Sequence, residues 1–289
     1  MQIKAPFSIK DHSVSQETFQ IVESEFDGIL KTYPQPTEHD LSKYYLSEDY
    51  ISLTDSRRNL LEQAYHLVRR NALKRKLNLI NNFKTEGKEL LDIGCGTGDF
   101  LKIAKENNWV VSGVEPDENA RKIANDKTGD SVQDISALLE FSDERFDVIT
   151  LWHVFEHLPK LEDHIQLFQK LLKPNGRLVI AVPNYKSYDA LYYQNFWAAY
   201  DVPRHLWHFS QKGISNLFHH FRFKLSATHP MKFDSFYVSL LSEKYKNGFM
   251  NLFMAFCVGL RSNLKAKSST EYSSLIYCFE KLKTSNKNL

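Results

Sequence analysis

The stretch "LLDIGCGTGDF", residues 90–100, decides the fold of this chain. A strand-like apolar run carries Asp92 near its end, glycines follow at every second position from Gly94 to Gly98, and a helix-like segment comes next. Glycines suit a sharp turn at which a ligand approaches the backbone closely. A strand, a glycine turn and a helix in this order predict an α/β domain with a ligand-binding site at the turn.

The charges around this turn indicate the kind of ligand. The spacing is GxGxG rather than the GxGxxG of dinucleotide-binding domains, and Asp99 at the helix start would repel a pyrophosphate. Asp92 and Asp99 instead favour a ligand with a cationic end, and S-adenosylmethionine is such a ligand. The cofactor-binding residues predicted in the turn are Asp92, Gly94, Cys95, Gly96 and Gly98.

Two further acidic residues are predicted to complete the cofactor site. Glu115, followed by Pro116, stands 21 residues after Gly94 at the end of the second predicted strand. A carboxylate there can accept hydrogen bonds from both ribose hydroxyls. Asp134, just past the third predicted strand, is expected to meet the adenine amino group.

The pattern after residue 85 alternates between strand-like and helix-like segments. Strands are predicted at 89–93, 109–115, 130–132, 146–152 and 176–182, with further strands at 223–229 and 273–281. This alternation predicts a Rossmann-like, doubly wound sheet with helices on both faces. Two domains are predicted. Residues 1–84 form an N-terminal appendage with an amphipathic helix, and residues 85–289 form the α/β domain that holds the ligand site, with a helical insertion or lid at 233–270. Residues 1–55 lack a sustained period and are predicted to be irregular.

Composition and charge exclude some classes of partner. Lys and Arg number 37 against 35 Asp and Glu, so a net charge of +2 provides no chain-wide attraction to nucleic acid or an anionic membrane, and DNA is not expected as a partner. The longest apolar run, 248–260, is too short to span a bilayer. Three scattered cysteines and the lack of a signal-like segment predict a cytoplasmic protein.

The stretch "WHVFEHL" (152–158) carries His153, Glu156 and His157 in the HxxEH order of some zinc peptidases. A strand-like run precedes it, and Pro159 limits any helix containing His157 to little more than one turn. This context disfavours a peptidase. The motif instead follows the carboxyl end of the fourth predicted strand, where open α/β sheets bind ligands.

A second histidine-containing stretch, "YDVPRHLWHFS" (200–210), supplies Arg204, His205 and His208. One interpretation is a metal site of His153, Glu156 and His157 with His205 or His208, where imidazoles would suit Zn²⁺ or Fe²⁺ better than Mg²⁺. The other is a metal-free site in which an imidazole is the general base for a hydroxyl group. A divalent metal is not expected, and the metal ligands stay open. The predicted catalytic residues are His153, Glu156, His157, His205 and His208.

The acceptor is expected to have an apolar or ring-shaped part. The stretch "YKSYDALYYQNFWAAYD" (185–201) is dense in Tyr, Phe and Trp. Such side chains can form the wall of a pocket for an apolar or ring-shaped molecule, and they can equally pack a lid against the sheet.

Four motifs together resemble one family. "LLDIGCGTGDF", "VVSGVEPDENARKIA", "FDVITLWHVFEHL" and "LLKPNGRLVIAVPN" are similar to successive motifs of class I S-adenosylmethionine-dependent methyltransferases, in particular the ubiquinone-biosynthesis-like small-molecule branch. The resemblance covers about residues 88–225 and implies a seven-stranded sheet with an antiparallel last strand, formed by 273–281. It also implies that Trp152 and His153 flank the cofactor. Some similar O-methyltransferases bind Mg²⁺ through ExxEH, and His153 stands at the first acidic position of that pattern.

The expected function is in-line transfer of a methyl group to a small-molecule acceptor, at a hydroxyl oxygen, with a histidine as general base. A metal-assisted RNA 2′-O-methyltransferase is the alternative, suggested by the histidines and by basic residues such as Arg69 and Lys76 on the N-terminal helix. RNA is not the expected acceptor. A non-catalytic cofactor-binding scaffold is a third hypothesis, and the sequence leaves the oligomeric state open.

Overall fold

A computed structural model of the protein describes residues 5–37, 40, 42–45 and 60–282. Its strands are β1 (Phe7–Lys10), β2 (Thr18–Glu23), β3 (Ile29–Tyr33), β4 (Glu89–Ile93), β5 (Val110–Val114), β6 (Val132–Gln133), β7 (Phe146–Trp152), β8 (Leu172–Pro183), β9 (Trp207–Phe209), β10 (Phe223–Pro230) and β11 (Ser274–Lys281). Its α-helices are α1 (Leu60–Asn81), α2 (Asp99–Lys105), α3 (Glu118–Thr128), α4 (Leu161–Leu171), α5 (Tyr188–Tyr193), α6 (Gln211–His220), α7 (Asp234–Asn247) and α8 (Leu252–Ser269). Short 3₁₀ turns occur at Ser42–Tyr45, Ile135–Leu139, Phe155–His157, Gln194–Phe196 and Ala198–Tyr200.

The larger sheet has seven strands in the order β10-β11-β8-β7-β4-β5-β6. Strands β4 to β8 within it run parallel, whereas β11 is antiparallel to both of its neighbours, β8 and β10. The central strand β7 is buried along almost its whole length, as expected of a parallel strand with helices on both faces. The predicted fold class, including the antiparallel last strand, is confirmed.

The N-terminal region forms a second, smaller sheet. Strands β1, β2 and β3 pair antiparallel in sequence order, and β3 then pairs with β9, with Ile29 opposite Phe209. The expectation of an irregular segment was therefore wrong for residues 7–33. Phe19 and Ile21 are buried at alternate positions of β2, so the strand period is present but spans too few residues to stand out in the sequence. Residues 46–59, within the predicted appendage, lie outside the described residues.

The segment between β10 and β11 folds as a hairpin of two helices, α7 and α8. Gly248 ends α7 in a left-handed conformation, and the Asn251 side chain caps α8 by accepting a hydrogen bond from the Met254 N–H. The helices approach closely at Gly259, where a Cβ atom would lie 2.7 Å from Phe236. The hairpin is thus tightly packed along its inner face. No helix within the described ranges is long and apolar enough to cross a membrane.

Candidate functional site

The glycine turn after β4 leaves space for a ligand at one position. Gly94, Gly96 and Gly98 all have left-handed φ values, of 66°, 54° and 76°. A Cβ atom would lie 2.5 Å from Val154 if placed on Gly94, and 2.8 Å from Ala124 if placed on Gly98. For Gly96, no atom of the described residues other than its chain neighbours lies within 4 Å of that position. Gly94 and Gly98 therefore allow close packing, and Gly96 faces the open space in which a ligand can lie.

Glu115 lies beside Gly96, as the sequence predicts. Its carboxylate accepts the Gly96 N–H at 2.8 Å and the Asp117 N–H at 3.0 Å, so the turn and the end of β5 are joined. Burial raises the pKa of Glu115, although these N–H groups oppose the increase. Pro116, the next residue, is exposed. Burial raises the pKa of the Cys95 thiol, so Cys95 stays protonated and helps to form the turn rather than to react.

Asp134 is an exposed capping residue. Its Oδ1 accepts hydrogen bonds from the Ser136 N–H at 3.1 Å and the Ser136 hydroxyl at 2.9 Å, and its Oδ2 lies 3.4 Å from Arg121. These interactions hold Asp134 at the start of the 3₁₀ turn that follows β6. Contact with an adenine amino group stays a prediction for this residue.

Asp92 is a buried carboxyl group that faces a cation. It accepts the Thr150 hydroxyl at 2.5 Å, and burial raises the pKa of Asp92 to about 7. Lys76 of α1 approaches it, and burial lowers the Lys76 pKa to about 8 against the attraction of Asp92 and Asp234. Asp99, in contrast, is bound by Arg69 and Lys127. Asp92, and not Asp99, is thus the acid that can face a cationic ligand. In the sequence, Lys76 is one of several basic residues of the N-terminal helix, and no motif links it to Asp92.

Trp152 lies at the end of β7, beside Lys76. The Lys76 ammonium group lies 4.3 Å from the centre of its ring, and Phe100 packs edge to face against it. The indole Nε1 is buried and has no hydrogen-bond partner among the described residues. Because an unsatisfied buried N–H is costly, this group marks a position for an acceptor atom of a ligand.

His153 is a cationic histidine between two carboxylates. Its Nε2 lies 3.1 Å from Asp234 of α7, and its Nδ1 lies 3.4 Å from Glu156. Burial opposes the charge, but the two carboxylates outweigh burial and raise the His153 pKa to about 10. Its φ of 59° is rare for a residue with a side chain. Both ring nitrogens of His153 thus face carboxylates, and its role in catalysis stays a prediction.

Glu156, His157 and His205 form a compact cluster at the carboxyl end of β7. One potential ligand atom from each lies within 4.8 Å of the others, and the two imidazole rings are 4.6 Å apart. His157 Nδ1 lies 3.0 Å from the Arg204 carbonyl oxygen, and His205 Nδ1 lies 2.9 Å from the Ala199 carbonyl oxygen. A carbonyl only accepts, so each Nδ1 carries the proton and each Nε2 keeps a lone pair. We call these three residues the imidazole–carboxylate cluster.

The carboxylate of this cluster is buried without hydrogen bonds. Glu156 is 0% exposed, and neither of its oxygens has a hydrogen-bond partner within the described parts of the chain. Burial would raise its pKa, yet the surrounding imidazoles, His153 first, lower it. The His205 Nε2 lies 3.9 Å from Glu156 Oε1, too far for a hydrogen bond. Protonated His153, 3.4 Å away, is a cation that already faces this carboxylate, but neither carboxylate oxygen accepts a hydrogen bond within the described residues, so both can still accept a proton donor or bind a cation.

His208 lies apart from the cluster, on β9. The Thr32 hydroxyl donates its hydrogen to the His205 carbonyl oxygen at 2.6 Å. Its oxygen can then only accept from His208, so His208 Nε2 donates to Thr32 at 3.0 Å. Tyr200 packs edge to face against the ring, and burial holds the His208 pKa well below its usual range. Of the predicted catalytic residues, the structure brings Glu156, His157 and His205 together, with His153 beside them.

Residues of the N-terminal region, far from the cluster in sequence, hold the cluster in position. Arg204 binds Asp201 and the deeply buried Asp11 of the turn after β1, and it donates to the Tyr44 carbonyl. The Tyr45 hydroxyl lies 3.0 Å from His157 Nδ1. The N-terminal region therefore supports the imidazole–carboxylate cluster, through contacts that no local motif predicts.

The HxxEH motif lies on irregular backbone rather than on a helix. Strand β7 runs to Trp152, and Phe155–His157 form a single 3₁₀ turn. A zinc peptidase needs both histidines on one face of a sustained helix. The structure thus also disfavours a peptidase. The motif joins the glycine turn, through the Gly94–Val154 contact, to the cluster.

The sheet order, the antiparallel last strand and a glycine turn at the carboxyl ends of the strands define the class I S-adenosylmethionine-dependent methyltransferases. Comparison with known proteins agrees. A family described as a methyltransferase domain matches residues 64–228, more than half of the chain. The chain belongs to this methyltransferase domain family.

Relatives and solved structures carry similar names. The ubiquinone biosynthesis O-methyltransferase of Coxiella burnetii (strain RSA 493 / Nine Mile phase I) is 30% identical over 112 residues, 36% of this chain and 47% of the relative. The enzyme of the same name from Vibrio atlanticus (strain LGP32) is 35% identical over 118 residues, 36% of this chain and 49% of the relative. The chain thus matches about half the length of these curated relatives.

A similar fold occurs in the crystal structure of Burkholderia thailandensis 1,6-didemethyltoxoflavin-N1-methyltransferase with bound 1,6-didemethyltoxoflavin and S-adenosylhomocysteine. It has a TM-score of 0.53 at 15% identity and covers 97% of this chain and 100% of its own. At this identity the likeness concerns the fold. The two curated relatives and this structural neighbour carry the names of small-molecule methyltransferases, and the RNA alternative is not favoured.

Proposed function

We propose that this protein transfers the methyl group of S-adenosylmethionine to a hydroxyl oxygen of a small molecule that has an apolar or ring-shaped part. Family membership and the names of the curated relatives support methyl transfer to oxygen. In the aromatic stretch 185–201, Tyr193, Trp197 and Tyr200 are buried in a core beside the small sheet, so the apolar part of the acceptor is proposed from the composition of this stretch and from the names of the curated relatives. We also propose that the reaction takes place in the cytoplasm.

The cofactor would lie across the glycine turn. Gly96 leaves room for it, Glu115 stands beside that room to accept ribose hydroxyls, and Asp92 already faces the cation of Lys76. A sulfonium or ammonium group would interact with Asp92 in the same manner. The buried indole N–H of Trp152 would then receive an acceptor atom of the cofactor or the substrate.

The proposed acceptor chemistry rests on one observation: His157 and His205 each keep a lone pair on Nε2, and both lie beside the buried Glu156. We assign the general base to His205. As the hydroxyl oxygen attacks the methyl carbon in line with the C–S bond, the hydroxyl proton passes to His205 Nε2. The C–S bond breaks, and its electron pair remains on sulfur as S-adenosylhomocysteine forms. The nearby Glu156 carboxylate stabilises the imidazolium that results.

His157 is the weaker candidate for this proton transfer. Burial, followed by the proximity of His205, lowers its pKa to about 4, so its lone pair takes up a proton poorly. Its contacts with the Arg204 carbonyl and Tyr45 suit a residue that orients the acceptor hydroxyl.

His205→Gln tests the assignment. We expect S-adenosylmethionine affinity, measured by calorimetry, to stay within about twofold, while kcat for a panel of phenols and catechols falls by about 100-fold or more, because general base catalysis contributes on that order. Release of S-adenosylhomocysteine measures kcat. The matched control is His164→Gln at a partly exposed histidine of α4 whose Nδ1 contacts the Lys160 carbonyl, and this variant should retain wild-type rates.

Two outcomes would contradict the proposal at different levels. Unchanged turnover in His205→Gln would remove the general base and keep the methyltransferase. Wild-type protein that binds the cofactor but methylates no acceptor would support the scaffold hypothesis instead, and absence of cofactor binding would overturn the proposed function altogether.

A metal-assisted variant of the same reaction is the second candidate, because the unsatisfied Glu156 oxygens face two imidazole lone pairs. The residues fit a divalent cation: Glu156, His157 and His205 would hold it, and each imidazole donates its Nδ1–H to a carbonyl, as metal-bound histidines do. Two nitrogen ligands suit Zn²⁺ or Fe²⁺ better than Mg²⁺. Such an ion would lower the pKa of a coordinated hydroxyl.

Metal binding can be tested without turnover. If the cluster holds an ion, Zn²⁺ should raise the Tm of the wild-type protein and of Glu140→Gln, an exposed control, but not that of Glu156→Gln. Equal Tm shifts in all three proteins, or no shift in any, would leave the metal-free mechanism as the remaining one.

A further inference from the structure

The outer helix of the α7–α8 hairpin has an unusual distribution of side chains. Its buried face consists mostly of small residues, namely Ala255, Val258, Gly259, Ser262 and Ala266. A surface helix of a globular protein normally buries its large apolar residues and exposes polar ones. In α8 the inner face is filled by Ala, Gly and Ser, and the large residues point outward.

The large residues form a continuous outer surface, which we call the apolar stripe. Their exposed fractions lie between 41% and 74%. The stripe consists of Phe249 and Met250 in the turn before α8, followed by Leu252, Phe253, Phe256, Leu260 and Leu264. These helical positions recur every three or four residues, so they share one face. An exposed patch of this kind marks an interaction surface rather than a solvated face.

The charges around the stripe are of one sign. Helix α8 contains Arg261, Lys265 and Lys267 and no acidic residue. Both acidic residues of α7 are directed inward: Asp234 contacts His153, and the buried Glu243 accepts from Tyr193. Two copies of this chain that met through their stripes would bring like charges together. Charge complementarity therefore selects an anionic partner over a second copy.

The basic side chains lie beside tyrosine rings. Lys265 is 4.4 Å from the centre of the Tyr188 ring, Arg261 is 5.5 Å from the same ring, and Lys246 is 5.2 Å from that of Tyr192. None of these three cations pairs with a carboxylate in the described part of the chain, so their charges remain available. Aromatic residues and cations beside an apolar helix face are typical of helices that lie in the interface of a membrane.

We propose that α8 and the turn before it bind the surface of a bilayer that contains anionic lipids. The apolar stripe enters the boundary between headgroups and acyl chains, Arg261, Lys265 and Lys267 contact lipid phosphates, and no segment crosses the membrane. The hairpin begins beside the candidate site, where Asp234 lies 3.1 Å from His153. Helix α7 of 14 residues holds the stripe about 20 Å from that point. This inference does not depend on the proposed methyl transfer.

Sedimentation of the full chain with vesicles tests the proposal. We expect the affinity for vesicles of phosphatidylcholine mixed with phosphatidylglycerol to be at least tenfold higher than the affinity for vesicles of phosphatidylcholine alone. This difference in affinity should decrease as the salt concentration rises. The double variant Phe249→Ser/Phe253→Ser should lose at least tenfold in binding, because two apolar anchors are removed. Leu139→Ser, at a residue 80% exposed outside the hairpin, is the matched control and should bind as wild type does.

The chosen phenylalanines are 62% and 74% exposed, so unchanged Tm and far-UV circular dichroism are expected and would show that the double variant is folded. Wild-type protein that fails to bind anionic vesicles would overturn the proposal. So would equal losses in the double variant and in Leu139→Ser. A dimer in solution that the double variant dissociates, without vesicle binding by either protein, would assign the stripe to a second copy instead.

Discussion

The candidate site has two parts at one edge of the larger sheet that are assembled differently: the glycine turn with Asp92 and Glu115, which is the proposed cofactor half, and the imidazole–carboxylate cluster, which is the proposed acceptor half. In the cofactor half, the Gly96–Glu115 hydrogen bond joins residues 19 positions apart. In the acceptor half, the Thr32–His205 bond joins residues 173 positions apart, and the Arg204–Asp11 pair joins residues 193 apart. The first half is thus built from local chain, whereas the second depends on the docking of the small sheet. Damage to that docking should affect acceptor chemistry and stability, and leave cofactor binding intact.

The largest expected effect follows from removal of the ion pair that docks the small sheet. Arg204→Gln leaves Asp11 and Asp201 without their cation, in a place where Arg204 and Asp11 are 6% and 1% exposed. We expect a loss of about 3 kcal/mol in the free energy of unfolding, because a broken buried pair leaves an uncompensated charge. Urea unfolding measures this loss, and cofactor affinity below the transition should be unchanged.

Lys212→Gln is the matched control for Arg204→Gln. The Lys212–Asp27 pair also joins the small sheet region to α6, at 2.8 Å, but both side chains are more than 70% exposed. Exposed pairs contribute little, so the free energy of unfolding should change by less than about 1 kcal/mol. Equal losses in the two variants, or a matching loss of cofactor affinity in Arg204→Gln, would contradict the division into two halves.

The next effect concerns the cofactor half alone. Gly96→Ala places a methyl group in open space at a φ of 54°, and Gly248→Ala does the same at a φ of 80° in the hairpin turn. Both should cost about 1 kcal/mol of stability, because an L-residue is strained in the left-handed region. Gly96→Ala alone should also weaken S-adenosylmethionine binding, by about 100-fold in calorimetry, because the ligand needs the space that the methyl group fills. Comparable affinity in both variants would place the cofactor elsewhere.

The same contrast explains how much the sequence predicts. The strands β4 and β7 begin and end where the apolar runs indicate, and Asp92, Gly96 and Glu115 come together because a parallel sheet aligns the carboxyl ends of its strands. Local sequence is sufficient for these features. Asp99 was predicted to face the ligand, yet it is bound by Arg69 and Lys127, because helices α1 and α3 both pack against α2 and the sequence does not encode those contacts locally.

The acceptor half could be predicted only as a set of residues. Spacing brings His157 near Glu156, but the approach of His205 requires the path of residues 158–204, and the separation of His208 requires pairing of β9 with β3. The tautomers of both cluster histidines depend on carbonyl groups of residues 199 and 204, which no pattern of side chains identifies. Protonation of His153 likewise depends on Asp234, 81 positions away.

The smallest expected effect is a pH dependence that arises in the cofactor half. Burial raises the Asp92 pKa from 3.8 to about 7, so the ligand-free protein holds this proton at pH 6 and is less stable as pH rises through 7. A cationic ligand favours the ionised carboxylate, so S-adenosylmethionine should bind about tenfold more tightly at pH 8 than at pH 6. Calorimetry at both pH values measures this ratio.

The control for this prediction is Asp92→Asn. The amino group of the cofactor also titrates in this range, so it contributes to the ratio of affinities in both proteins. In Asp92→Asn binding is weaker and the contribution of Asp92 to the ratio is absent. A ratio that is the same in Asp92→Asn and in the wild type would show that Asp92 does not face the cationic end of the cofactor.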